Sequence, residues 1–151
     1  YVNDEQICQA AASMWAKVGV KIRLISTPFQ VHSQTFQRGE SSFYMLGWGV
    51  STYDSLYALQ ALAHTRTQGA DGNFNFGRLS DARLDELIQK IKFEPDVAKR
   101  NGLIREALLR LRDEAFFIPL HHQIRPWAMK PGVETLHRSN DYFEARYTRL
   151  K

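Results

Sequence analysis

A chain of 151 residues with 44% hydrophobic and 24% charged side chains has the composition of an ordinary globular domain, large enough to bury about two thirds of its unfolded surface around one core. No apolar run approaches the ~20 residues that cross a bilayer, and a single cysteine, Cys8, excludes an internal disulfide and a multi-cysteine metal site. The net charge of +4 and pI near 9.3 permit an acidic or nucleic-acid partner, but the cations are scattered and the one dense stretch, 99–112, is broken by Glu106 and by apolar residues at helical spacing, as on a solvated helix face.

Asn3 with Gln6 three residues on makes a variant capping box, and Ile7, Ala10, Ala11, Met14, Trp15 and Val18 form one apolar stripe, so a first helix is expected, ended by Gly19. Cys8 lies on it and reads as a small buried side chain. Val20, Ile22 and Leu24 alternate with Lys21 and Arg23, which predicts a strand over 20–25. Thr27 and Pro28 mark the next helix start, and Gly39 its stop. Phe43, Tyr44, Met45 and Leu46 then form the short continuous run of a strand covered on both faces.

Strand, helix and strand within about 30 residues predict a parallel, right-handed unit. Both strands of such a unit point the same way, so the helix start at 26–28 and the loop at 47–54 leave the sheet at one edge. Ligands bind at that edge in open α/β sheets. The residues of the loop suit ligand binding. Gly47 and Gly49 let the backbone turn or approach a partner, Trp48 offers a flat apolar surface with one donor, and Ser51, Thr52, Tyr53 and Asp54 add hydroxyls and a carboxylate.

A short helix is expected over 54–63, then a long loop over 64–77 of the kind that is often functional or mobile. Ser80 reads as the cap of a further helix with Leu79 and Leu84 as a staple and Leu87, Ile88 and Ile91 on its inner face. Pro95 and Asp96 start another, with Val97, Ile104, Ala107, Leu108 and Leu111 inward. Residues 115–122 read as a third strand, which Pro119 confines to an edge or a crossover. Beyond Pro126 the period is lost; Trp127 to Met129 suit a short strand, Pro131 and Gly132 a turn, and 142–147 a last aromatic strand.

Catalytic and metal chemistry find no support. His121 and His122 are neighbours on an expected strand and point to opposite faces, and the five histidines lack ligand spacing. There is no HExxH, CxxC, phosphate loop or Gly-x-Ser-x-Gly elbow. No enzyme, metal or cofactor is expected.

Four blocks, in order along the chain, resemble the extracellular solute-binding proteins of the dipeptide and oligopeptide type that serve bacterial ABC importers (family 5). They are 3–25, with its helix and VGVK-I strand; the strand into Gly47-Trp48; GNFNFGRLSDARLDEL, an asparagine-aromatic-glycine stretch leading into a helix; and 96–100 with 107–120, ending in AFFIPL. The resemblance implies an α/β fold of the type II periplasmic-binding kind, a small mixed sheet with a parallel β-α-β unit flanked by helices. Residues 1–125 would belong to the C-terminal lobe and 126–151 to a tail returning to the N-terminal lobe, which this stretch lacks. The opening residues, Tyr-Val-Asn-Asp-Glu, carry neither the basic nor the apolar region of a secretory signal, so an export signal and the other lobe are expected in a longer parent, periplasmic or extracellular and open to lipid anchoring.

The resemblance also implies the function: a small solute or peptide is captured between two lobes and delivered to permease subunits in the membrane. Trp48 and Gly49 match the Gly-Trp motif at the cleft, Asn75 matches the asparagine of the Asn-aromatic-Gly stretch, and Ser51, Thr52 and Asp54 complete the ligand-binding set. In peptide-binding members an aspartate just after Gly-Trp pairs with the ligand's α-ammonium. Here Ser51 stands there, a hydroxyl without charge, and Asp54 lies three residues on in another register. Amides, glutathione-like compounds, opines and sugars are therefore as open as peptides. The competing reading from the residues is a basic interaction module for nucleic acid or another acidic partner; the resemblance implies no nucleic acid.

Overall fold

The computed structural model describes residues 1–138 and 140–151. They divide into two compact units, 1–118 and 119–151. The first carries α1 (Asp4–Ala16), α2 (Phe29–Arg38), α3 (Ser55–Ala58) continued by a π-helical turn (Leu59–Ala63), α4 (Ala82–Phe93) and α5 (Val97–Asp113); the second carries β1 (Val133–Glu134), a 3-10 turn (Ala145–Tyr147) and β2 (Arg149–Leu150). The chain is thus mixed but rich in helix.

The core of the first unit lies where α4 and α5 meet the π-helical turn. Leu84, Leu87, Ile88 and Ile91 of α4 are fully buried against Leu59, Ala63 and Ala107, with Leu56, Leu79, Leu103, Ile104 and Leu111 packed around them. Burying each large aliphatic side chain stabilises by about 1.5–3 kcal/mol relative to exposure. The inner face expected of α4 is the one observed. On α5 only part of the expected face turns inward: Ala107 is buried, but Val97 and Leu108 are 72% and 47% exposed.

Helix ends follow local chemistry with small shifts of register. Asp81, one residue past the expected Ser80, caps α4 by accepting from the Leu84 amide at 2.8 Å, and Asp96 caps α5 through the Lys99 amide at 2.8 Å. Both satisfy orphan N–H groups. Gly39 closes α2 at φ 73°, a left-handed turn that glycine adopts without strain. The expected cap of α1 differs: Asn3 has φ 60° and no side-chain cap bond, and the Asp4 carboxylate accepts from the Glu5 amide at 2.7 Å instead.

The sheet expectation needs correction. Among the described residues the one ladder is antiparallel, Val133 opposite Leu150 and Glu134 opposite Arg149. The parallel strand-helix-strand unit over 20–46 is not formed: α2 lies between two segments outside any ladder. The reason is missing cover. Val20, Ile22 and Leu24 stay 49%, 39% and 40% exposed and Phe43 61%, so the apolar alternation meets no facing layer, and a lone extended segment gains no ladder bonds. Residues 115–122 likewise join no sheet, and Ala115 takes φ 52°. In the second unit 127–129 are irregular, and the last aromatic segment is a 3-10 turn rather than a strand.

The loop expected over 64–77 forms and runs on to the start of α4 at Ala82, and it is closely bonded. Gly72 turns at φ 70° where a Cβ would stand 2.5 Å from the His64 carbonyl oxygen, so only glycine fits. Asp71 accepts from Gln60 at 2.7 Å, Gln89 at 3.0 Å and Lys92 at 2.6 Å, fastening the loop to the π-helical turn and to α4. His64 is buried, its Nδ1 2.7 Å from the Thr65 carbonyl oxygen and its Nε2 3.1 Å from the Gln89 amide nitrogen.

Candidate functional site

The loop after Leu46 is held from below by an aromatic column. Phe36 of α2, buried, stacks on Tyr44 with ring centroids 5.0 Å apart and also touches His32 and Phe76 at 5.0 Å. Phe76 meets Phe74 at 6.0 Å, Phe74 meets Trp48 edge-on at 4.9 Å, and Trp48 lies 5.6 Å from Tyr57 of α3. Such pairs favour offset and edge geometries and add to the stabilisation from burial alone. His32 Nε2, 3.0 Å from the Met45 carbonyl oxygen, ties α2 to the segment that delivers Trp48. Cys8 of α1 is half-buried rather than buried, its Sγ 3.6 Å from Met45 Sδ, and burial pushes its thiol pKa up.

Trp48 is half-buried, and its indole N–H is enclosed without an acceptor. The glycines beside it differ. A Cβ on Gly47 would strike the Tyr1 ring at 2.7 Å, whereas one on Gly49 would meet nothing within 4 Å. Packing explains the first; the second leaves an open backbone face.

Ser51 and Thr52 are exposed, and Thr52 Oγ1 accepts from the Asp54 amide at 3.3 Å. Asp54 is committed. It caps α3 through the Leu56 amide at 2.8 Å and forks onto Arg100, with Oδ1 3.0 Å from Nη2 and Oδ2 2.9 Å from Nη1. The Arg100 guanidinium, followed by the Leu56 amide, holds its carboxyl below the usual carboxylate range.

Asn75 is buried, and its side chain serves backbone: Nδ2 donates to the carbonyls of His64 at 2.9 Å and Leu79 at 2.8 Å, while Oδ1 accepts from the Leu79 amide at 2.9 Å. Trp48, Gly49, Ser51, Thr52 and Asp54 share one loop, whereas the Asn75 side chain bonds the backbone of His64 and Leu79 and builds its own turn. Tyr57, Phe74 and Arg100 were not singled out from the sequence. The phenylalanine of N-F-N-F-G gave a usable signal for Phe74; Arg100, 46 positions from Asp54, gave none.

Two open surface hollows lie elsewhere among the described residues, one beside Gln89, Phe93 and Leu103 on α4 and α5, the other beside Met129, Leu136 and Tyr147 in the second unit. Among the described residues no three His, Cys, Asp or Glu side chains gather as a metal site would need, and no helix is long and apolar enough to cross a membrane.

Against known proteins, the chain is 25% identical over 141 residues to di/tripeptide-binding protein 1 of Pseudomonas aeruginosa, an alignment covering 89% of this chain and 24% of that protein. It is 24% identical to the probable deoxycholate-binding periplasmic protein YgiS of Escherichia coli, over 100% of this chain and 28% of the other. With heme-binding protein A of Haemophilus influenzae it shares 22% identity over 96% of its length and 26% of the relative's. The chain resembles part of a dipeptide-type solute-binding protein. It spans about a quarter of the length of these solute-binding relatives, all of which are named as binding proteins rather than enzymes. No family model and no solved structure matches it.

Proposed function

We propose that these residues belong to the C-terminal lobe of a two-lobed periplasmic or extracellular solute-binding protein, in which a small organic solute is captured at the Trp48 loop and handed to the permease of an ABC importer. The observation that carries this reading is the alignment of nearly the whole chain with binding proteins named for di- and tripeptides, deoxycholate and heme. Trp48, Gly49, Ser51 and Thr52 form the solute-facing rim, Asp54 fixes the end of the loop, and Asn75 shapes the turn that carries Phe74. Capture works by closure of two lobes about a hinge, which buries the solute and fills its hydrogen bonds.

The uncovered apolar residues Val20, Ile22, Leu24 and Phe43 fit the same reading. In the full protein a facing layer covers these apolar residues, and 126–151 return to the other lobe. A role as a basic nucleic-acid module is less well supported, because cations of the dense stretch already face carboxylates: Arg100 with Asp54, Arg110 with Asp81, Arg112 with Asp113.

A thermal-shift screen of the full-length protein against small organic solutes tests the proposal. At 100 times its Kd a captured solute stabilises by about 2.7 kcal/mol, a shift of several degrees. A broad screen of peptides, bile acids, porphyrins, sugars and opines without a single such shift would count against it.

A further inference from the structure

His64 is a buried imidazole outside the Trp48 loop, and both of its ring nitrogens are committed. Nδ1 lies 2.7 Å from the Thr65 carbonyl oxygen and Nε2 3.1 Å from the Gln89 side-chain nitrogen. A carbonyl only accepts, so Nδ1 carries a hydrogen. The Gln89 amide is oriented by its other neighbour, because the same nitrogen donates to Asp71 Oδ2 at 3.0 Å, where the amide oxygen would meet a carboxylate. Nε2 is therefore an acceptor, and the arrangement is that of a neutral ring.

A second proton has no place in it. On Nε2 the proton would face the amide hydrogens of Gln89, and turning the amide over would set its oxygen against Asp71. The charged groups around the ring leave one way out. Asp85 of α4 has its Oδ1 3.5 Å from Nδ1, on the side that already carries hydrogen, and accepts from the Thr65 amide at 2.8 Å. Lys92 of α4 reaches the cluster through Asp71, and the π-helical turn meets Asp71 with the neutral amide of Gln60. Asp71 Oδ2 itself stands 3.9 Å from Nε2, beyond hydrogen-bond reach. A charged ring closes that gap only by taking the oxygen from Gln89. His64 and Asp71 both lie on the loop side, so the exchange replaces a bond between loop and α4 with one inside the loop.

We propose that the Gln89 bridge between His64 and Asp71 is an acid-sensitive latch: protonation of His64 releases Gln89 and loosens residues 65–77 from α4. That segment carries Phe74, whose ring centroid is 4.9 Å from that of Trp48, so the aromatic wall beside Trp48 loosens with it. The latch goes beyond solute capture and does not depend on it.

Hydrogen exchange of the full-length protein, read by mass spectrometry on peptides from 66–77, tests the latch. Uptake is followed between about pH 8 and pH 5, the range in which histidine side chains commonly change charge, and corrected for the intrinsic pH dependence of exchange. Protection should fall about tenfold toward acid, roughly the value of one lost hydrogen bond, while peptides from α5 keep theirs. Two variants locate the cause. His64→Gln keeps a donor for the Thr65 carbonyl and takes up no proton, so its protection should be flat; Gln89→Met lacks the bridge and should leave 66–77 weakly protected at both ends. Flat protection in the unaltered protein overturns the proposal, as does a pH response that survives in either variant. Imidazole nitrogen NMR of the unaltered protein needs no variant: a His64 ring with its hydrogen on Nε2 at about pH 8 also overturns it.

Discussion

Asp54 and Arg100 meet across 46 positions of sequence in a two-pronged ion pair, 2.9 and 3.0 Å, that joins the end of the Trp48 loop to the opening turns of α5. The pair anchors the loop and removes the only loop carboxylate from service. Since Arg100 and Asp54 are 23% and 39% exposed, water screens their attraction, and Arg100→Met should cost about 1 kcal/mol. The shift in urea midpoint at unchanged slope measures it. The variant should also return Asp54 toward the ordinary aspartate range, visible in its carboxyl NMR titration.

A second carboxylate sets an acid limit on stability. Asp81 caps α4 and forks onto Arg110 at 2.8 and 2.6 Å, and the guanidinium brings its pKa from 3.8 to about 2. A group whose folded pKa lies below its unfolded value contributes stability that is complete above the unfolded value and fades as pH falls through the folded one. Unfolding free energy should therefore drop between about pH 4 and pH 2. Asp81→Asn keeps a good cap but loses the ion pair, so its urea midpoints should fall less steeply with acid across that window.

Two glycines separate folding from binding. Gly72→Ala drives a Cβ to within 2.5–2.8 Å of backbone atoms of His64 and Arg66 at a positive φ, and should cost more than about 3 kcal/mol or prevent folding. Gly49→Ala meets open space and should change stability by less than about 0.5 kcal/mol, while weakening solute capture by the full-length protein. Thermal melts of both variants, with calorimetry on the second, check the contrast. Equal effects of the two on melting would contradict it.

Asn75→Ala removes three hydrogen bonds to the backbone of His64 and Leu79. A loss of about 3 kcal/mol is expected, since buried partners are left unpaired. If Asn75 instead served the solute alone, its removal would lower affinity and leave the melting temperature alone.

Local signals carried well from sequence to structure, and long-range ones did not. The apolar spacing of Leu84, Leu87, Ile88 and Ile91 and the stop at Gly39 are written in a few consecutive residues, and both appear as expected. The cap of α4 differs by one position, Asp81 in place of Ser80, whose hydroxyl accepts from Thr65 Oγ1 instead. Strands fared worse. An alternation such as Val20, Ile22, Leu24 records a face to be covered without recording what covers it, and here nothing in the described residues does. Around Trp48, Gly47 and Gly49 mark a loop in the sequence, but the commitment of Asp54 to Arg100, and of Asn75 to its own turn, depends on partners that no local pattern names.

Solute capture at the Trp48 loop is tested most directly by native mass spectrometry of the full-length protein, purified without denaturation in its unaltered and Trp48→Ala forms. A small-molecule adduct is expected on the unaltered protein, lost or depleted about tenfold or more in Trp48→Ala, since loss of a central aromatic contact typically costs a tenfold factor or greater. A protein that carries no adduct, or one that holds it equally without the indole, would contradict capture at this loop.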